Sequence, residues 1–282
     1  MKKYLSLIKF SHTIFAMPFA LIGFFLAKKS NEFEWITLLY VVLCMVFARS
    51  AAMAFNRYID RDFDKANERT AQIREIPNGT IASKNALIFV LINSLLFIAT
   101  TYLINPLCLV LSPVALLVIL GYSYTKRFTA LCHLILGLGL SLAPIGAYLA
   151  VSGEFAIIPI LFSFVVLFWV SGFDIIYSLQ DEQFDKEQKL HSIPVLLGKK
   201  NALIVSKILH IITILTIYYI GDFAHFGKFY WIGFSIFSIL LIYQHTLIKH
   251  NNLSKINLVF FTTNGIGSVI FGALVITDIL LK

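Results

Sequence analysis

Charge is scarce in this sequence. Asp, Glu, Lys and Arg make up 13% of its 282 residues, about half the share usual in a soluble domain. The shortfall excludes the soluble, disordered and coiled-coil classes, which all present a polar surface to water. Cysteine is nearly missing as well. Cys44, Cys108 and Cys132 all fall within apolar runs, with no CxxC pair and no His/Cys cluster of metal spacing. They read as inert thiols in packing or lipid contact. No small-residue cleavage site precedes Lys28 and Lys29, so the basic start (Lys2, Lys3, Lys9) and the apolar run behind it read as a membrane helix, not a signal peptide. What fills the chain instead is apolar: 59% hydrophobic residues and a mean hydropathy of +0.83. These are the marks of an integral, all-α membrane protein.

A hydrocarbon core about 30 Å thick needs roughly 20 apolar residues per helical span. Nine such runs can be marked, at 10–27, 34–56, 85–104, 106–124, 129–151, 155–177, 201–221, 229–248 and 256–280. The third and fourth are separated only by Asn105-Pro106, a pair that breaks a helix and favours a turn, so a tight hairpin is predicted there. Seventeen of the 23 Lys and Arg residues fall on the side of the N-terminus and the 57–84 and 178–200 loops, against four on the other. The positive-inside rule then places the N-terminus and both long loops in the cytoplasm and the C-terminus outside, in a multi-pass protein of the cell (inner) membrane. With its basic residues so placed, the net charge of +8 reports topology, and no nucleic-acid partner is implied.

Ten of the fifteen acidic residues lie in two segments on that cytoplasmic side. In the first, Asn56, Asp60 and Asp64 recur every four residues, which puts all three on one face if the helix continues past its apolar run. Hard oxygen ligands in this pattern suit Mg²⁺ completed by substrate phosphates. A solvated helix end with interleaved charges has the same composition, and the first segment alone does not separate the two. The second segment does. Asp181 and Asp185 repeat the spacing 121 residues after Asp60 and Asp64, and Asp174 sits at the end of the apolar run 161–173, where an ionisable group is expensive and reads as functional. Two facing acid sets would repel unless cations lie between them. The repetition suggests one domain over 1–282 built of duplicated halves, about 1–125 and 126–248, plus a final helix.

Basic residues on the same side could bind anionic phosphate: Lys126 and Arg127 between two helices, with Tyr124 beside them, and Arg61, Lys65, Arg69 and Arg74 in the first acidic loop. Arg49 lies seven residues before Asn56 on nearly the same face, inside a span. It could anchor a substrate carboxylate or neutralise a neighbouring acid. His12, His133 and His210 read as packed helix histidines, and Gly137, Gly139, Gly146 and Pro144 as close-packing or kink residues. The 26 Phe and 12 Tyr suit lipid contact and interface belts, and some could line a tunnel for an isoprenoid tail.

Asn56-x3-Asp60-x3-Asp64, followed by Arg69-Thr70 and Arg74-x2-Pro77-x-Gly79, resembles the first Asp-rich signature of the UbiA superfamily of intramembrane prenyltransferases. Asp174-x2-Tyr177-x3-Asp181-x3-Asp185 resembles its second, so the likeness spans essentially the whole chain. The resemblance implies a nine-helix bundle with a central cavity under two Asp-rich cytoplasmic loops and open sideways to lipid. It implies two Mg²⁺ ions held by Asn56, Asp60, Asp64, Asp181 and Asp185 and gripping a polyprenyl diphosphate. Catalytic roles would fall to those aspartates with Asp174 and Tyr177, and substrate binding to Arg49, Arg61, Lys65, Arg69, Tyr124, Lys126 and Arg127. Ionisation of the allylic C–O bond, attack by an electron-rich ring and loss of a ring proton would complete the reaction.

The segments 8–20, 51–56 and 190–194 look most like the 4-hydroxybenzoate polyprenyltransferase-like subgroup, which includes prenyltransferases of menaquinone synthesis acting on a hydroxylated naphthoate. Both acceptors are aromatic acids, which would give Arg49 a carboxylate. Lys189 departs from the subgroup, which usually has Gly there. Two rivals fit less well. A cation-coupled transporter would place its acids near the midplane, and a CDP-alcohol phosphotransferase would carry one dense Asp/Gly/Arg signature in place of two separated sets.

Overall fold

The computed structural model describes residues 2–8, 15–27 and 35–282. Lys9, His12, Lys28 and Lys29 lie outside the described residues. The chain is helical, with an isolated bridge between Lys249 and Asn252 and no sheet among the described residues. This is the expected outcome in lipid, where a helix satisfies every backbone group within its own segment.

Eight described helices are long and apolar enough to cross a membrane, and the protein is a multi-pass membrane protein. In chain order, α1 (Lys2–Leu7) and α2 (Met17–Leu26) precede the long α3 (Trp35–Ile59). Short α4 (Arg61–Ala66) and α5 (Glu68–Ala71) follow, then α6 (Ser83–Ile104), α7 (Pro106–Thr125), α8 (Cys132–Ser152) and α9 (Ile157–Ser178). Short α10 (Glu182–Glu187) leads to α11 (Ile193–Phe223), α12 (Lys228–Leu247) and α13 (Asn264–Leu280). Of the predicted span 10–27, the described helix α2 has ten residues, which is why eight spanning helices are counted and not nine.

The predicted hairpin is present and its chemistry is local. Asn105 is extended, and its Oδ1 accepts from the Cys108 amide at 2.8 Å, capping α7 with Pro106 in the first turn. The Asn105 Nδ2 donates to the Leu149 carbonyl at 2.9 Å, tying the hairpin to α8. Close helix approach depends on missing side chains. A Cβ on Gly23 would lie 2.0 Å from the Pro144 carbonyl oxygen, and one on Gly137 would lie 2.5 Å from that of Leu167, so α2 and α9 can pack on α8 only as they stand. An aromatic core of Phe19, Trp169, Phe237 and Phe271 joins α2, α9, α12 and α13, and Trp169 donates to Asn264 Oδ1 at 2.9 Å. Asp278, 4% exposed, accepts from the amides of Gly227, Phe229 and Tyr230 and so caps α12 from across the bundle.

The two acidic segments have the same local build. Each long helix breaks at an Asp and restarts as a six-residue helix. Asp60 (φ −89°, ψ 6°) separates α3 from α4, and Asp181 (φ −100°, ψ 2°) follows α9 by one 3₁₀ turn and begins α10. The Asp60 amide still bonds Asn56 O at 2.9 Å and the Asp64 amide bonds Asp60 O at 2.8 Å. The i, i+4 ladder thus crosses the break and keeps Asn56, Asp60 and Asp64 on one face. A π-helical turn, Leu258–Thr263, precedes α13 and turns Phe260 and Phe261 toward the same region.

Candidate active site

A cavity of about 1160 Å³ runs through the bundle beneath these two breaks. Asn56, Asp60, Asp64, Asp181 and Asp185 all line it, with Arg69, Arg74, Lys126 and Arg127 among them. Its deeper wall is mostly apolar, with Val41, Met45, Leu111, Val118, Leu142 and Phe155 along it.

Each carboxylate at the mouth meets a base. Arg69 forks onto Asp181, Nε to Oδ1 at 3.1 Å and Nη2 to Oδ2 at 2.6 Å, and so bonds the first acidic segment to the second. The Asn67 Nδ2 donates to the same Oδ1 at 3.3 Å, and the Arg69 Nη1 donates to the Tyr177 hydroxyl at 3.4 Å. Lys126 Nζ lies 2.7 Å from Asp185 Oδ1. The next residue, Arg127, turns the other way. Its Nη2 donates to Ile59 O at 2.8 Å and lies 3.5 Å from Asp60 Oδ1, while its guanidinium covers the rings of Phe63 and Tyr124. Arg74 pairs with Asp64. Asn56 Nδ2 donates to Asp60 Oδ2 at 2.8 Å.

The chain's own bases lie between the two acid sets, Arg69 on Asp181 and Lys126 on Asp185, and no three acidic side chains converge on one point among the described residues. The donor set nevertheless suits Mg²⁺. Asp64 and Asp185 are 6% and 1% exposed, each has one oxygen on a base, and in each Oδ2 is buried with no hydrogen-bond partner. A buried anionic oxygen without a partner is costly, and a hard cation is the partner such oxygens fit.

The bases shift accordingly. Burial opposes charge on Lys126, but Asp185 outweighs it and holds the ammonium above its ordinary value. Burial likewise works against Arg69, and Asp181 raises it. The Asp60 carboxyl is pushed up by burial first and by Asp64 second, against the lowering effect of Arg74 and Arg127.

Two helical turns further in, α3 and α9 present a second polar layer. Arg49 lines the cavity, and its Nε is buried without a hydrogen-bond partner. Asp174 lines it too, bonded to His133 at 2.7 Å, and Tyr122 of α7 lies in the same wall.

Arg61, Lys65 and Tyr124 are not in the cavity wall. Arg61 Nη1 turns to the Tyr58 carbonyl at 2.8 Å, Lys65 is exposed, and Tyr124 is 42% exposed against Phe55. His210 is buried as a packed histidine, with Nδ1 2.8 Å from His245 Nε2 and away from the cavity. Gly137 serves close packing as expected, whereas Gly146 has open space around its missing Cβ.

Sequence reasoning gave no site role to Asn67 or Tyr122, and it read His133 as a packed helix histidine. Asn67 had a legible signal, being two residues before Arg69 in a charged loop. Tyr122 and His133 had none, because one aromatic and one histidine within apolar helices look like any other packed side chain.

Residues 16–266 match the sequence pattern of the UbiA prenyltransferase family. A 4-hydroxybenzoate octaprenyltransferase from Vesicomyosocius okutanii subsp. Calyptogena okutanii (strain HA) is 32% identical over 240 residues, covering 85% of this chain and 87% of its own length. The apo structure of a UbiA homologue from Aeropyrum pernix K1 matches with a TM-score of 0.86 at 31% identity, over 95% of this chain and 98% of that one. A UbiA homologue from Archaeoglobus fulgidus bound to DMAPP and Mg²⁺ shares the fold with a TM-score of 0.74 at 24% identity, over 99% of this chain and 100% of that one.

Proposed function

The chain belongs to the UbiA prenyltransferase family and is a prenyltransferase, and from that premise we propose that it transfers a polyprenyl group from polyprenyl diphosphate to the ring of an aromatic acid of the 4-hydroxybenzoate type in respiratory quinone synthesis. The observation that carries this reading is the pairing of Asp60 and Asp64 with Asp181 and Asp185 around the mouth of one cavity whose depth is apolar. A diphosphate suits the charged mouth and an isoprenoid tail suits the depth.

Asn56, Asp60, Asp64, Asp181 and Asp185 are the proposed ligands of two Mg²⁺ ions. When bound, the ions would stabilise negative charge on the diphosphate as the C–O bond breaks. Lys126, Arg127, Arg69 and Arg74 would exchange their carboxylate partners for phosphate oxygens, which offer the same charge-assisted bonds. As the leaving group gains charge, donors already in place stabilise it without reorganising. Arg49 would take the acceptor's carboxylate, which pairs its unpartnered Nε and turns the ring toward the mouth. Tyr177, bonded to Arg69 and 4.2 Å from the Phe260 ring, would face the allylic cation with its π cloud.

We place the N-terminus and both acidic segments on the cytoplasmic side of the inner membrane and the C-terminus outside, from the distribution of Lys and Arg. The matching breaks at Asp60 and Asp181 support reading the domain as two duplicated halves and a final helix.

The test is a membrane assay with Mg²⁺ and labelled polyprenyl diphosphate, offering 4-hydroxybenzoate and a dihydroxynaphthoate in parallel and identifying products by mass. Prenylated 4-hydroxybenzoate supports ubiquinone-type synthesis, and a prenylated naphthoate moves the step to menaquinone synthesis. Diphosphate release with neither product would discard both acceptors.

A further inference from the structure

His133 is the second residue of α8, is 2% exposed, and lies against the polar layer deep in the cavity. Both of its ring nitrogens are engaged. The Ile193 amide donates to Nε2 at 3.4 Å, and Nδ1 lies 2.7 Å from Asp174 Oδ2. Ile193 opens α11, so its N–H is one of the free donors of a helix start, and that end of the helix disfavours a second positive charge beside it. Nε2 is therefore the acceptor and Nδ1 carries the proton, which it donates to Asp174. The backbone of the residue is held too, since the Ser171 hydroxyl of α9, 2.6 Å from the Leu167 carbonyl, also lies 3.1 Å from the His133 carbonyl.

The consequence falls on Asp174. One of its oxygens is held by a buried imidazole engaged at both ring nitrogens, and the carboxylate is 22% exposed within the cavity wall. It precedes Asp181 by seven residues and both line the cavity, which places it roughly 10 Å below the mouth at about 1.5 Å per residue. Arg49 lies equally far below Asn56 on the opposing helix. An acceptor ring with its carboxylate on Arg49 would thus lie between the mouth and Asp174.

We propose that His133 is a positioning residue for the prenyl transfer, holding Asp174 as an oriented carboxylate that removes the ring proton. The inference rests on the function proposed above. The C–O bond of the donor breaks and diphosphate leaves with its electron pair. A ring π pair forms the new C–C bond to the allylic cation. The C–H bond at that ring carbon then breaks, its pair restores the aromatic ring, and the proton passes to Asp174 Oδ1.

The test uses the full chain in membranes, with whichever of the two acceptors the wild type prenylates, in ordinary and ring-deuterated form. Asp174→Asn should lower kcat by about 10²–10⁴-fold, the range for losing a general base. His133→Ala should lower kcat by about 10–100-fold, as loss of an orienting partner does elsewhere, and leave KM for polyprenyl diphosphate unchanged. It should also show a primary isotope effect that the wild type lacks, because a loosened Asp174 makes proton removal slow. His133→Gln keeps a donor of similar reach, and it should recover most of the rate and suppress the isotope effect. Should His133→Ala not survive extraction, His133→Gln and His133→Met are compared by the same readouts. A wild-type rate in the variant without a donor overturns the proposal. So does a lower rate with no isotope effect, or one accompanied by a higher donor KM, since either marks general damage. These outcomes leave the aromatic-acid reading intact, whereas wild-type protein that prenylates no aromatic acid removes that reading and this inference with it.

Discussion

Replacing Lys126 with methionine would leave Asp185, 1% exposed, without the ammonium that lies 2.7 Å from it. Breaking a fully buried ion pair costs about 3–5 kcal/mol, because the abandoned charge has no water to return to. Lys126 is itself 34% exposed at the cavity mouth, and solvent reaches it, so ~2 kcal/mol is the better figure. At about 2–4 °C per kcal/mol for a chain of this size class, the metal-free variant should melt ~4–8 °C below wild type. Mg²⁺ acts in the opposite direction. In wild type a cation approaching Asp185 must displace the ammonium, whereas in Lys126→Met it meets an unpaired carboxylate. The melting temperature of the variant should therefore climb more steeply with Mg²⁺, since stabilisation follows RT ln(1 + [L]/Kd) and Kd falls. The assay is thermal unfolding in detergent across a Mg²⁺ series, with Ca²⁺-free buffer and an Asp185→Asn, Lys126→Met double variant as control. The double variant should regain most of the stability and lose the extra Mg²⁺ response. Equal melting of Lys126→Met and wild type without metal, with parallel Mg²⁺ curves, would refute the claim that this base stands in for a cation.

Four further outcomes follow from the same geometry. Asp64→Ala and Asp185→Ala should each cut turnover by orders of magnitude while the protein stays folded in detergent, as judged by product assay beside size-exclusion profile; near-normal activity in both would remove the two-segment site. Arg49→Ala should raise the acceptor KM and spare donor KM, because Arg49 lines the cavity two helical turns below Asn56 with its Nε unpartnered; unchanged acceptor kinetics would dismiss the carboxylate role. The Asp60 carboxyl is raised by burial and by Asp64, so the metal-free folded state holds that proton more tightly than the unfolded chain does. Stability from it is complete below the ordinary Asp range and is lost as pH rises through the raised folded value. Asp60→Asn should therefore flatten the fall in melting temperature over that window, and an unchanged slope would count against the shift. Asp278→Ala frees three amide donors at the start of α12 and should cost ~2 kcal/mol of stability with kcat intact in the surviving fraction, checked by unfolding and activity on the same sample.

What could be read from the sequence divides along the range of the interactions involved. The spans follow from runs of apolar residues, a property of the segment itself, and α6 to α9 begin and end within about three residues of where those runs do. The hairpin at Asn105-Pro106 was legible for the same reason, since the cap and the break both lie in the dipeptide. The metal-ligand face on Asn56, Asp60 and Asp64 depended on the helix running on. It stops at Ile59, yet the Asp60 and Asp64 amides keep the i, i+4 bonds across the break, and the spacing argument survives. Pairings between distant segments were not legible. Arg69 and Asp181 are 112 residues apart and His133 and Asp174 are 41 apart, and no local period marks either pair. Nor could composition tell that the bases of the first acidic segment reach into the second. Six basic residues between 57 and 84 look alike as topology signals, but Arg69 and Arg74 enter the cavity wall while Arg61 and Lys65 stay outside it. The difference is helix direction after the break. Thr70 Oγ1 bonds the Asp64 carbonyl at 2.8 Å and Asn67 caps α5, which folds the loop back over the mouth and brings Arg69 and Arg74 to the acids. A charged residue in such a loop is therefore assigned by where the caps send the backbone, and Asn67 and Thr70 are the side chains that decide it.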